Sequence, residues 1–287
     1  MKSLTLTVLT GVAALAALVV IQGCGVLGGP PTGVAVSAGP TGPDSVASDS
    51  TVVVSWTTPA EGAADKYKVS FRAVTDSVYK PIGETTATSY VHNPLGMTGS
   101  YKVAAVFGQD TYEAGETPTT VPIESDATTL FEINADSIRC GYGWTRDSGI
   151  GGVFGVIAAA DTASVDFYVS DFRAGVGDSL CVVSPNVESL DPGAGIIPSA
   201  KWRANGLSGP LTDAQGPLPA PDTAPYKYFT YTSIETHPCY IGCYTAGETE
   251  KHYALIQVDS FDMTSGKLWM RSWYQLVPGL RLIRHTD

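Results

Sequence analysis

Charge is scarce in this sequence, and basic charge scarcest. Seventeen Lys and Arg stand against 28 Asp and Glu, charged residues make up 16% of 287, and the formal net charge is −11. No stretch clusters Lys and Arg, which excludes nucleic acid as a partner, because that affinity is supplied by many basic contacts to phosphate. Helical periodicity is missing too: no segment repeats apolar residues convincingly at i, i+3, i+4, so a helical fold is excluded. The Asp-x-Asp-x-Asp-Gly loop that would hold calcium is absent. Asp161, Asp166 and Asp171 therefore read as solvent-facing strand and loop carboxylates. No metal and no cofactor are expected. What is plentiful is Gly, Pro and Tyr, at 31, 19 and 14 residues, mixed with many Val and Thr. That is a composition of strands and tight turns. With 44% hydrophobic residues, the chain is long and apolar enough for two ordinary domains.

The N-terminal stretch says where the protein belongs. Lys2 precedes an apolar run from Leu4 to Ile21, then Gly23-Cys24 and a Gly/Pro segment through Gly33, the layout of a secretory signal. The placement of Cys24 resembles a bacterial lipobox; Ile21 and Gly23 fit, while Gln22 stands where a small residue is usual. The resemblance implies cleavage of residues 1–23, lipidation of Cys24, and a flexible tether over 24–29. The protein would then be exported and lipid-anchored to the bacterial cell envelope, facing the periplasm or exterior. Gly25 rather than Asp after Cys24 would favour the outer membrane if the cell is Gram-negative. An uncleaved membrane helix, which needs ~20 apolar residues, and plain secretion stay open. All three place residues 30–287 outside the cytoplasm.

Of the five cysteines, Cys24 is taken by the anchor. Cys140, Cys181, Cys239 and Cys243 then form an even set in an oxidising compartment, with three possible connectivities. A Cys140–Cys181 bridge and a local Cys239–Cys243 clip are expected. The competing use, a metal site of Cys239 and Cys243 with His237 or His252, has a poor spacing for zinc.

Residues 30–123 show a run of short β segments. Ser50 to Trp56 is rich in Val; Tyr67, Val69 and Phe71 alternate with polar residues; Glu84 to Val91 is rich in Thr. Tyr101, Val103 and Ala105 share one face after a Gly-rich corner. Strands at this spacing predict a β-sandwich. Trp56, Tyr67-Lys-Val, Pro94-Leu95 and Tyr101-Lys-Val-Ala-Ala-Val together resemble a fibronectin type III module. The resemblance implies core packing and a corner hydrogen bond for Trp56, Leu95 and Tyr101, and a spacer or adhesion scaffold as the role. No Arg-Gly-Asp occurs.

Residues 124–129 read as a short polar linker with a hinge near Ser125. Residues 130–287 read as a second β-rich domain, a barrel or sandwich of no recognised family. Val165, Phe167 and Val169 should share a face. His252 to Val258 and Lys267 to Gln275 should pair as a hairpin, with a short closing strand at Leu280–Ile283.

Catalytic signatures are weak. Gly177-Asp-Ser-Leu180 resembles the GDSL esterase signature, but Ser179 leads into a strand and no Asp-x-x-His follows; a serine without a base is inert. Asp147-Ser-Gly149 resembles the trypsin-like motif, yet the only preceding histidine is His92, in the first module. A hydrolytic enzyme would need a cleft gathering several of Asp166, Glu235, His237 and His252. The best binding candidate is the last hairpin, where Trp269, Arg271 and Trp273 project from one face with the indoles ~13 Å apart. Two exposed indoles would suit a sugar polymer; two buried ones would simply pack. The sequence thus points to a non-catalytic, membrane-anchored surface module with a protein or polysaccharide ligand.

Overall fold

The computed structural model describes residues 28–39, 50–171, 179–186, 196, 199–211, 216–221 and 228–285. The signal segment, Cys24, Gly177 and Asp178 lie outside them. Among the described residues there is no α-helix, and the elements are antiparallel strands throughout.

The first module uses seven of them: β1 (Thr32–Ala38), β2 (Val52–Thr57), β3 (Lys66–Ala73), β4 (Lys80–Thr85), β5 (Ser89–His92), β6 (Gly99–Phe107) and β7 (Asp110–Glu113). They form two sheets, ordered β1-β2-β5 and β4-β3-β6-β7. That three-plus-four strand order is the fibronectin type III arrangement, as the sequence resemblance implied. Alternation explains it directly: Val52, Val54 and Trp56 point inward from β2, Tyr67, Val69 and Phe71 from β3, and Tyr101, Val103 and Ala105 from β6. Trp56 meets the edge of Tyr67 with centroids 5.1 Å apart, and the buried Tyr101 hydroxyl lies 3.0 Å from Nδ1 of His92. Leu95 does not take the expected core role. It is 85% exposed with φ 54°, because the tight turn closed by Met97 N–H to Pro94 C=O throws its side chain outward. Met97 packs inward instead.

The second unit is a sandwich. One sheet contains β9 (Gly141–Trp144), β10 (Gly151–Phe154), β11 (Phe167–Ser170), β12 (Leu180–Val183) and β15 (Tyr231–Ile234), ordered β10-β9-β11-β12-β15. The other contains β8 (Ile123–Phe131), β13 (Gly206–Ser208), β14 (Tyr228–Phe229), β16 (Cys239–Tyr244), β17 (Tyr253–Asp262) and β18 (Lys267–Tyr274), ordered β14-β13-β16-β17-β18-β8. Between the sheets lie Tyr142, Trp144, Phe167, Val169 and Leu180 from one side and Leu130, Ile241, Ile256, Leu268, Met270 and Tyr274 from the other. A second apolar layer of Ile133, Cys140, Val156, Val165, Tyr168, Cys181, Val183 and Trp202 covers the far face of the five-stranded sheet. Val165 thus sits in a different layer from Phe167 and Val169, contrary to the expected shared face. It lies ahead of β11, whose inward alternation begins at Phe167.

The β17–β18 hairpin forms where the sequence placed it, turning at Met263–Gly266 with Gly266 at φ 63°. The carboxylate of Asp262 accepts from Thr264 N and Ser265 Oγ to hold the turn.

Two connections differ from expectation. Residues 124–129 are no linker: β8 runs through them, paired to β18, with Ser125 buried opposite Ser272. Exposed polar side chains on an edge strand look like a linker in sequence, because only one face of such a strand is covered. The closing strand at Leu280–Ile283 is reduced to a bridge between Leu282 and Pro217. The segment folds back into the first module instead, where Val277, Leu280 and Leu282 join its core. Gln275 Nε2 donates to Thr120 O at 2.8 Å and to Leu282 O at 2.7 Å, and Thr98 Oγ1 donates to Arg284 O. The C-terminal tail thus ties the two units together: Val277, Leu280 and Leu282 lie in the first module's core, while Ile283 packs with Trp273 of the sandwich.

Candidate functional site

In β18 the expected face is real. Leu268, Met270, Ser272 and Tyr274 turn into the sandwich, while Trp269, Arg271 and Trp273 turn outward. Only Trp269 is open, at 38% exposure; Trp273 is 2% exposed. It packs among Leu218, Tyr253, Leu255 and Ile283, and its ring stacks on His285 at 3.8 Å and 19°. The two-indole platform is therefore corrected to a single indole. The tail returning after β18 covers the half of the face that holds Trp273, and nothing within β18 itself announces that cover.

Trp269 borders a shallow depression of ≈ 360 Å³ lined by Ala127, Thr128, Thr129, Asp259 and Met270. Register shifts flank it: one in β17 between Val258 and Ser260, the other between β18 and β8 at Met270 to Ser272. Bulges re-aim side chains and open a sheet surface locally. Here the β17 shift presents Asp259, whose carboxylate accepts from Gln257 Nε2 at 2.7 Å and Arg271 Nη2 at 3.4 Å. The result is an indole face beside a paired carboxylate and guanidinium. Such a set can stack on a flat or apolar ring and hydrogen-bond its polar rim. Asp259 and Gln257 were not singled out from the sequence, since a bulge carries no composition signal.

The second polar cluster is built round a buried carboxylate. Asp166, read from sequence as solvent-facing, is 0% exposed. It accepts from Arg146 through both oxygens at 2.6 and 3.0 Å, from Arg203 Nη1 at 2.8 Å, from Asn205 Nδ2 at 2.7 Å and from the Trp144 amide at 2.8 Å. Glu248 completes the group by pairing with Arg146. Two cations and two anions so arranged compensate one another. Burial opposes the charge on Arg146, but the bonds to Asp166 and Glu248 outweigh it and hold its pKa above the ordinary arginine value. A close approach makes the geometry possible: a Cβ on Gly143 would lie 1.8 Å from the Ser164 carbonyl oxygen. Asp171 is likewise buried, at 7% exposure.

The other candidate catalytic groups do not assemble around Asp166. His252 is buried, with Nδ1 2.9 Å from Gln275 O and its ring stacked on Tyr274. Glu235 and His237 are exposed, the latter against the edge of Phe261. Ser148 and Gly149 form a turn, with Gly149 at φ 72°, and Ser179 leads directly into β12.

Cys140, Cys181, Cys239 and Cys243 are buried and no disulfide joins any two of them, against both expected bridges. Cys239 and Cys243 sit four residues apart in β16, a separation of ~13 Å along a strand, whereas a bridge needs Cα atoms about 4.4–6.8 Å apart. Cys140 adjoins β9 and Cys181 lies in β12, with β11 between them, so two interstrand spacings, ~10 Å, separate them. Desolvation pushes the Cys140 thiol up to about 12 and the Cys239 thiol to about 11, and raises Cys243 well above its ordinary value. Thiolate is the reactive form. All four are expected to resist a maleimide in native protein and to react on denaturation. Rapid native labelling, counted by mass, would contradict the buried placement.

No family model matches the chain, and no curated protein matches it. Among solved structures, FN3tt is 23% identical over 31% of this chain and 92% of its own, with a TM-score of 0.23. A mutant of FN3tt is 21% identical over 32% of this chain and 91% of its own, with a TM-score of 0.25. Titin kinase with its flanking domains is 11% identical over 87% of this chain and 37% of its own, with a TM-score of 0.28. The strand order described above, not these overlaps, defines the class: an all-β protein with a fibronectin type III-like module fused to a larger β-sandwich.

Proposed function

We propose that the protein is an exported bacterial lipoprotein, held to the envelope by acyl chains on Cys24, that serves as a non-catalytic surface binding or assembly module. Its partners would be the membrane, through the lipid, and a protein or polysaccharide ligand at the cell surface. The observation that carries the reading is the contrast between the two polar clusters. The groups best equipped for chemistry, the buried Asp166 and the partly exposed Glu248, are committed to ion pairs with Arg146 and Arg203, while Trp269, Asp259 and Arg271 stand on a sheet face with room beside them. The C-terminal tail, packed into the first module's core, supports a spacer role for that module, since it ties the module to the sandwich.

Intact mass of the protein extracted from the membranes of a bacterial host tests the anchor. The expected mass is residues 24–287 plus acyl chains, unchanged by reduction, and Cys24→Ala should release the protein from the membrane. A mass retaining residues 1–23 would sink the lipoprotein reading. For the binding face, Trp269→Ala is expected to weaken retention on isolated cell-envelope material about tenfold, or ~1.4 kcal/mol. Equal retention would remove Trp269 from the site.

A further inference from the structure

We propose, resting on the binding role given above to the Trp269 face, that its ligand is an uncharged polysaccharide. The glycan would lie across β16, β17 and β18 from Tyr240 to Trp269, with Gln257, Asp259 and Arg271 bonding its hydroxyls between the two rings.

Register supplies a second aromatic in place of the covered Trp273. Tyr240 pairs directly with Gln257, and Gln257 with Arg271, so the three form one row on the outer face of the sheet. Trp269 stands two residues farther along β18. Two interstrand spacings across and two residues along put ~12 Å between Tyr240 and Trp269. Tyr240 is half-buried and packs on the apolar group that holds Trp273 and Ile283, so it marks where the tail's cover ends. The polar groups between the rings are ordered in advance. Asp259 accepts from Gln257 at 2.7 Å and from Arg271 at 3.4 Å, which holds all three side chains and lowers the cost of ordering them on binding. Gln257 is only 7% exposed. Its Nε2 is used by Asp259, while its Oε1 accepts no hydrogen bond among the described residues. A buried acceptor of that kind calls for a donor, and a sugar hydroxyl is one.

The surroundings choose a glycan over a peptide. β16, β17 and β18 are each paired on both sides, so an extended peptide finds no open backbone to join as a strand. An amphipathic helix needs a row of apolar anchors. Beside Trp269 the depression offers Ala127, Thr128 and Thr129, and Met270 is 1% exposed. What remains is a shallow site with an aromatic at each end and planar donors and acceptors between them. Sugar rings match it, since each carries an apolar C–H face and a rim of hydroxyls. Charge narrows the class. Asp259 and Arg271 offset one another, Glu124 and Asp126 are exposed on the neighbouring β8, and the chain carries a formal net charge of −11. An acidic polymer would be repelled.

The full chain, purified in detergent, should be retained on cell-envelope material digested with protease as well as on untreated material. Of cellulose, chitin, starch and mannan, at least one should also retain it, and alginate, an acidic polymer, should not. Trp269→Ala and Tyr240→Ala are each expected to weaken retention about tenfold, the loss of one stacking contact. Phe229→Ala, an aromatic 49% exposed elsewhere on the same sheet, should change nothing. Circular dichroism should be unchanged in all three variants. Retention destroyed by protease would overturn the glycan in favour of a protein ligand and leave the binding role of the face standing. Retention by none of the uncharged polymers, or by alginate alone, would overturn the assignment of ligand class. Retention indifferent to Trp269→Ala would overturn that assignment and the binding face together.

Discussion

Replacing Asp166 by Ala is expected to lower the melting temperature by about 10 °C. The carboxylate is wholly buried and is the shared acceptor of Arg146, Arg203, Asn205 and the Trp144 amide. Without it, two guanidinium groups, 21% and 18% exposed, keep their charge with Glu248 alone to balance them. Removing one partner of a buried ion pair costs roughly 3–5 kcal/mol, and each kcal/mol moves the melting point about 2–4 °C in a protein of this size. Because the group is shielded from solvent, the loss should persist in 1 M salt, where surface pairs are screened. Asp166→Asn keeps the shape but not the charge and should fall between wild type and Asp166→Ala. Thermal scans at low and high salt decide the matter. A shift below about 1 °C, or one erased by salt, would show that the network is dispensable.

Ending the chain after Gln275 is expected to have the larger effect, loss of the cooperative folding of the first module. Val277, Leu280 and Leu282 supply part of that module's core from the far end of the sequence, and Ile283 and His285 cover Trp273. Each buried leucine-sized side chain lost costs roughly 2–5 kcal/mol. Several together approach the whole stability of an ordinary domain, about 5–15 kcal/mol. The single change Leu280→Ala should cost ~3 kcal/mol and can be followed by hydrogen exchange. Amide protection should fall in β2, β3 and β6 as well as around the tail. Protection lost only near residue 280 would mean that the tail lies on the first module without completing it.

Legibility followed burial. In the first module each core strand presents one face to the interior and one to solvent, so alternating sequences such as Tyr67, Val69 and Phe71 state their own geometry. The β17–β18 hairpin was equally plain, because polar turn residues separate two long strand-forming runs. In the sandwich, β9, β11 and β12 are covered on both faces by separate apolar layers. Alternation is no guide in such strands, and the alternating sequence Val165, Phe167, Val169 misled because β11 begins only at Phe167, leaving Val165 in the other apolar layer. The expected disulfides came from counting cysteines by compartment, a rule that ignores where strands place them. The indole pair failed for a related reason: strand periodicity says which side chains share a face, not what lies over that face.

By itself the sequence determined the β class of the fold, the type III-like strand pattern of the first module and the outward direction of Trp269, Arg271 and Trp273. These follow from local rules of side-chain alternation and turn chemistry. Tertiary structure alone decided that the tail would enter the first module's core and close over Trp273. It also decided that Asp166 would meet Arg146 and Arg203, and that the four thiols would stay apart. Those outcomes join residues far apart in the chain, and their energies depend on desolvation and packing, which exist only once the sheets have come together.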